Sequence, residues 1–122
     1  MTNYNKKQVI IYQENKKDVK VEAFLQDETI WLTQDQISKL FSVNRSVVTK
    51  HLRNIFKSQE LNKNSVCAKI AHTASDGKRY QTQFYNLDAI ISVGYRVNSK
   101  KATRFRIWAT SVLRDQNLLV NK

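Results

Sequence analysis

Apolar and polar positions along this chain of 122 residues switch between two periods, and each switch marks the boundary of a predicted element. From residue 8 the period is two. The run QVIIYQ at 8–13 is rich in β-formers, and VKVEAFL at 19–25 sets Val19, Val21, Ala23 and Leu25 against Lys20, Glu22 and Phe24, as in a half-buried strand. QDE then reverses the chain and TIWL at 29–32 returns beside it, so the front of the chain predicts a small antiparallel sheet. At residue 33 the period becomes helical. Thr33 with Gln36 three positions later forms a capping box, in which the hydroxyl accepts from an orphan backbone donor and the amide reaches back to the cap. Ile37, Leu40 and Phe41 give this short helix one apolar face, ending near Phe41.

Asn44 is a second N-cap, and Val48, Leu52, Ile55 and Phe56 repeat at helical spacing, predicting a second amphipathic helix over 45–57. After it the period returns to two. Val66, Ala68 and Ile70 alternate on one side of Asp76-Gly77, and Tyr80, Thr82 and Phe84 on the other, which predicts a β-hairpin. Asn86 then caps LDAIISVGYRV, and Ser99 caps KKATRFRIWATSVLRD, whose stripe Ala102, Phe105, Trp108, Ala109 and Val112 reads as core packing rather than as a nucleobase-stacking surface. The two helices at 33–57, separated by about three residues, have the outline of a helix-turn-helix. Ile37, Phe41, Val43, Val48 and Leu52 supply the apolar crossing. They leave Arg45, Ser46, Thr49, Lys50 and Arg53 off the core, side chains suited to guanine acceptors, base edges and phosphates. Ser42 stands at the turn position where the motif usually has Gly. A hairpin directly after such a helix makes a wing, with Lys78 and Arg79 at its tip.

Charge adds direction to this outline. Residues 1–44 balance 6 basic against 6 acidic side chains, whereas residues 45–122 hold 15 against 4, so the entire excess of +11 begins at Arg45. Such a field draws polyanions. Pro is absent and Gly occurs only at 77 and 94, so no linker is evident and residues 1–122 read as a single α+β domain. It is expected to be a winged helix-turn-helix with an N-terminal antiparallel β extension at 8–32, a helix-turn-helix at 33–57, a wing hairpin at 66–85 and two C-terminal helices within 86–116. One cysteine, no apolar run of membrane-spanning length and no signal-peptide pattern give the expectation of a cytoplasmic protein without a membrane partner.

Catalytic chemistry finds little footing. His51, Cys67 and His72 lack the paired spacing of a zinc site, and His72, Ser75 and Asp76 crowd into one hairpin tip where they could not surround a substrate. No Gly-rich phosphate loop or paired-carboxylate signature is present, so neither an enzyme activity, nor a metal, nor a cofactor is expected. Lys100, Lys101 and Arg104 on the last helix read as a solvated face.

Three blocks, WLTQDQISKLF, HLRNIFKSQELNKNSVCAKIAHTASDGKRYQTQFYNLDAIISVGYRVNS and TRFRIWATSVLRD, resemble the RhuM family of bacterial virulence-associated proteins, over about residues 9–114. YNLDAIISVGYRV and FRIWATSVL also look like segments of phage antirepressors of the Bro-N and KilA-N type. The resemblance implies a bacterial, often mobile-element-borne protein that binds DNA without an established enzyme activity. Family members usually continue beyond the FRIWA helix, so the chain is expected to be an N-terminal module or a short form. Residues and resemblance together lead to one expectation: a regulator that binds double-stranded DNA through Arg45, Ser46, Thr49, Lys50, Arg53, Lys78 and Arg79, with a homodimer as a further expectation. The other reading is an antirepressor-like regulator that captures an acidic protein partner, a repressor or a nucleic-acid-processing enzyme.

Overall fold

The computed structural model describes residues 8–73 and 75–120, without the side chains of His72 and of residues 116–120. Strands β1 (Gln8–Tyr12), β2 (Val21–Gln26) and β3 (Thr29–Leu32) lead into helices α1 (Gln34–Phe41) and α2 (Arg45–Lys57). A single turn, α3 (Lys63–Val66), precedes strands β4 (Cys67–Thr73) and β5 (Arg79–Asn86), and helices α4 (Leu87–Val97) and α5 (Ser99–Val120) follow. The chain is thus mixed α and β, as its periods predict.

The five strands form one antiparallel sheet in the order β1-β2-β3-β5-β4. Periodicity alone predicts two separate β pieces, a front sheet and a hairpin. They are joined because β3, the strand immediately before α1, pairs with β5 through Trp31↔Asn86 and Leu32↔Tyr85. Everything between Leu32 and Cys67 is therefore an insertion held at both ends by one sheet.

All five helices lie to one side of that register's inward residues. Val21, Ala23, Leu25, Ile30, Leu32 and Tyr85 face a core completed by Ile37, Leu40 and Phe41 of α1, Val48, Leu52 and Ile55 of α2, Ile90 and Val93 of α4, and Phe105 and Ala109 of α5. Gly94 is explained by this packing and not by a turn. A Cβ there would sit 2.5 Å from the Phe41 ring and 2.7 Å from the Ala102 Cβ, so only hydrogen lets α4 approach α1 and α5 this closely. On the other face of the sheet, Trp31, Ile70 and Phe84 form a smaller cluster with Phe24 and Ala68.

Four local expectations need correction. Val19 is 64% exposed and lies before β2, because residues 13–18 form a loop closed by the Gln13 amide donating to the Asp18 carbonyl. Val66 closes α3 instead of opening the strand, since Asn62 caps a turn there that no apolar period announces. The cap of α5 is Asn98 and not Ser99: the Asn98 side chain accepts from the Lys101 backbone N–H at 3.1 Å. That helix also continues to Val120, beyond the expected end near 116.

Candidate nucleic-acid interface

The helix-turn-helix outline begins with the predicted capping box. Thr33 Oγ1 accepts from the Gln36 N–H and the Gln36 amide oxygen accepts from the Thr33 N–H, which fixes the first turn of α1. At its other end Ser42 takes the left-handed conformation, φ 56° and ψ 45°, and the Val43 N–H returns to the Ser38 carbonyl. The position that usually carries Gly thus has the backbone that favours Gly, with a serine in it. Asn44 caps α2 by accepting from the Ser46 N–H at 2.9 Å.

With Val48, Leu52 and Ile55 buried, α2 turns Arg45, Ser46, Lys50 and Arg53 to solvent. The five candidates on this helix are not equivalent. Lys50 and Arg53 make no ion pair among the described residues. Arg45 is held by the Asp35 carboxylate of α1 at 3.1 Å. Ser46 donates its hydroxyl back to its own cap, Asn44. Thr49 is half-buried and donates to the Gln34 amide oxygen at 2.5 Å, so its hydroxyl is engaged inside the fold.

Gln34 links three elements at once, since its amide nitrogen also donates to the Tyr85 hydroxyl of β5 at 3.0 Å. Burial pushes the Tyr85 phenol above its ordinary range, so it remains a neutral partner. The result is a polar cleft lined by Thr33, Gln34, Asp35, Arg45, Thr82, Gln83 and Tyr85, where the amino ends of α1 and α2 meet the hairpin strand. Sequence reasoning missed Gln34, Asp35 and Tyr85. Once Thr33 is taken as cap, Gln34 and Asp35 are the first two residues of α1, but only the β3–β5 register brings Tyr85 to them.

At the hairpin tip, Gly77 adopts φ 81° as the turn requires, and Asp76 accepts from the Lys78 N–H at 2.9 Å and from the Tyr80 hydroxyl at 2.8 Å. Those bonds, the backbone one foremost, hold the Asp76 carboxyl below its usual range. Lys78 and Arg79 are exposed beside it. One acid of the second part of the chain, Glu60, is engaged elsewhere. Glu60 accepts from Arg96 and from Ser92, tying the loop after α2 to α4, and the Arg96 contact lowers its pKa. His51 contributes no charge at neutral pH, because burial first, then the Arg96 and Lys50 cations, lower its pKa further below 6.5. On α5, Arg104 is paired with Glu14 at 3.1 Å, while Phe105 and Trp108 pack on Tyr12.

Among the described residues no group of three His, Cys, Asp or Glu side chains is placed to hold a metal. Burial raises the Cys67 thiol above its ordinary pKa, so the thiol form prevails. No described helix is long and apolar enough to cross a membrane.

Comparison with known proteins adds one finding. No curated protein and no solved structure matches the chain. The family match spans β4, β5, α4 and most of α5, and leaves α1 and α2 outside it. Over residues 65–119 the chain matches the model described as the Virulence protein RhuM family, which identifies this segment as RhuM-like.

Proposed function

We propose that the chain is a winged helix-turn-helix that binds duplex DNA, acting as a transcriptional or mobile-element regulator, with α2 in the major groove and the β4–β5 tip beside it. The observation that carries the reading is the arrangement of cations. Lys50 and Arg53 are exposed on α2 without an acid partner among the described residues, while the hairpin bearing Lys78 and Arg79 belongs to the same sheet that anchors α1. The order strand, helix, helix, single helical turn, strand, strand from β3 to β5, with the first strand paired to the last, further supports a winged arrangement. A duplex fits this face because phosphates neutralise cations that no internal acid satisfies.

Titration of the protein into a labelled random-sequence duplex, followed by fluorescence anisotropy at several salt concentrations, tests the reading. Affinity should fall with salt with a log-log slope of about −0.9 for each phosphate neutralised. Replacing Lys50 and Arg53 together by Ala should weaken binding at least about tenfold. Wild-type affinity in that double variant would overturn the placement of α2. A second reading, capture of a protein partner, has one observation in its favour: Leu61, Leu87, Ile91 and Tyr95 line a shallow groove against α4, rimmed by Glu60, Asp88 and Arg106.

A further inference from the structure

We propose that Asp35 determines selectivity on this face, and that Arg45 and Asp35 together read a G·C base pair. The inference rests on the DNA-binding reading above and refines it. Arg45 is the first residue of α2, and the amino-terminal turn of a reading helix is the part that approaches base edges. The Asp35 carboxylate lies 3.1 Å from its guanidinium, with the two side chains 61% and 64% exposed. An ion pair so open to water contributes little to stability, and as a first-turn acid Asp35 adds only a modest favourable interaction with the dipole of α1, so its carboxylate stays available at the surface.

An acid beside a helix that carries Arg45, Lys50, Arg53 and Lys57 and no acid of its own is costly for binding any polyanion, since it repels every phosphate that approaches. That cost becomes selective if one base pair satisfies both charges. In the major groove guanine presents two acceptors, O6 and N7, and its cytosine partner presents the N4 amino donor. Arg45 can donate to the first while Asp35 accepts from the second. With Arg45 over adenine, the guanidinium meets a single acceptor, N7, beside a donor, and the carboxylate meets the thymine O4 acceptor; with Arg45 over thymine, adenine N6 still serves the carboxylate, but the guanidinium keeps one acceptor, O4, in place of two. The other side chains of the cleft, Gln34, Thr82, Gln83 and Tyr85, bring no charge that would mask the difference. Gln34, bonded to Thr49 of α2 and to Tyr85 of β5, fixes the start of α1 and so keeps Asp35 in reach of Arg45.

The test begins with duplexes selected from a random pool by the wild-type protein, in which each G·C pair is then exchanged for A·T in turn. Affinities of the wild type, Asp35→Ala and Arg45→Ala are measured for each duplex and for random duplex, with melting curves confirming that the variants fold. For one G·C position the wild type should lose at least about fivefold on exchange, and Asp35→Ala should lose much less there. Asp35→Ala should also bind random duplex more tightly, and Arg45→Ala more weakly. If exchange costs Asp35→Ala as much as the wild type at every position, or if Asp35→Ala binds random duplex more weakly, the assignment of Asp35 is wrong while DNA binding stands. If the wild type retains no duplex at all, the DNA-binding reading falls and this inference with it.

Discussion

The sheet carries a hairpin at each end, and the two are built for opposite purposes. In β1–β2 the inward positions Tyr12, Val21, Ala23 and Leu25 are all buried, and α5 closes over the end of the hairpin with Phe105 and Trp108 against Tyr12, ring centroids 5.0 and 4.8 Å apart. In β4–β5 only the base is anchored, by Ile70, Phe84 and Tyr85, while Thr73 and residues 75–81 are exposed. The difference is written in the residue order. VEAFL keeps an apolar residue at every second position, whereas RYQTQ replaces the inward ones with Arg79, Gln81 and Gln83, of which Arg79 and Gln81 are exposed and Gln83 is half-buried. Burial makes the first hairpin part of the scaffold, and want of it leaves the second free to meet something outside.

The largest effect should come from removing the support of the first hairpin. Phe105→Ala empties a fully buried position and should destabilise the protein by about 3–5 kcal/mol in urea titration. Binding of duplex by the fraction that remains folded should be unchanged, because Phe105 lies on the scaffold side. A parallel loss of affinity at full folding would erase the distinction between the two ends. The converse change acts on the tip. Lys78→Ala with Arg79→Ala should move stability by no more than about 0.5 kcal/mol, since neither side chain is buried. Under the proposed function it should weaken duplex binding and make the salt dependence shallower by about 1.8 if both contact phosphate. A full salt slope in this variant would mean that the exposed hairpin is not a wing.

A smaller effect probes the burial of the first hairpin by pH. The Tyr12 phenol is pushed up to about 12 by burial and by the nearby Glu14 carboxylate, which accepts its hydrogen bond. A group whose pKa is raised on folding stabilises fully below its unfolded value, here 10, and loses that contribution as pH climbs toward 12. Thermal melts of Tyr12→Phe should therefore decline less between pH 10 and 12 than those of the wild type. Parallel curves would show that the phenol is not insulated by the first hairpin.

Much of this division was legible in sequence because it depends on neighbours along the chain. The capping box at Thr33 and Gln36, the start and end of α2 and the Asp76-Gly77 turn each rest on bonds between residues a few positions apart, and each is found where its residues place it. Exposure of Arg45, Lys50 and Arg53 likewise follows from the apolar stripe that buries Val48, Leu52 and Ile55. What stayed hidden depends on distant partners. No local period reveals that β3 pairs with β5, and without that pairing Tyr85 has no reason to meet Gln34, nor Gln34 to occupy the Thr49 hydroxyl. Thr49 therefore reads as a base-contacting residue in sequence, while in the fold its hydroxyl is bonded to the Gln34 side chain. Arg45 similarly reads as a free cation until the crossing of α1 and α2 brings Asp35 beside it.

The smallest expected effect bears on the junction between α1 and α2. Ser42 occupies the left-handed region that L-residues enter at a cost, and its side chain is exposed, so replacing it with glycine removes a strain and little else. Ser42→Gly should stabilise the protein by about 0.5–1 kcal/mol, the relief of the left-handed backbone being partly offset by the greater freedom of an unfolded glycine. In a melting curve that corresponds to a rise of about 2–4 °C. Duplex affinity should stay at the wild-type level, because the Ser38 carbonyl and the Asn44 cap still set the direction of α2. A variant that melts higher but binds more weakly would show that the serine, and not only the backbone it strains, holds α2 at its angle.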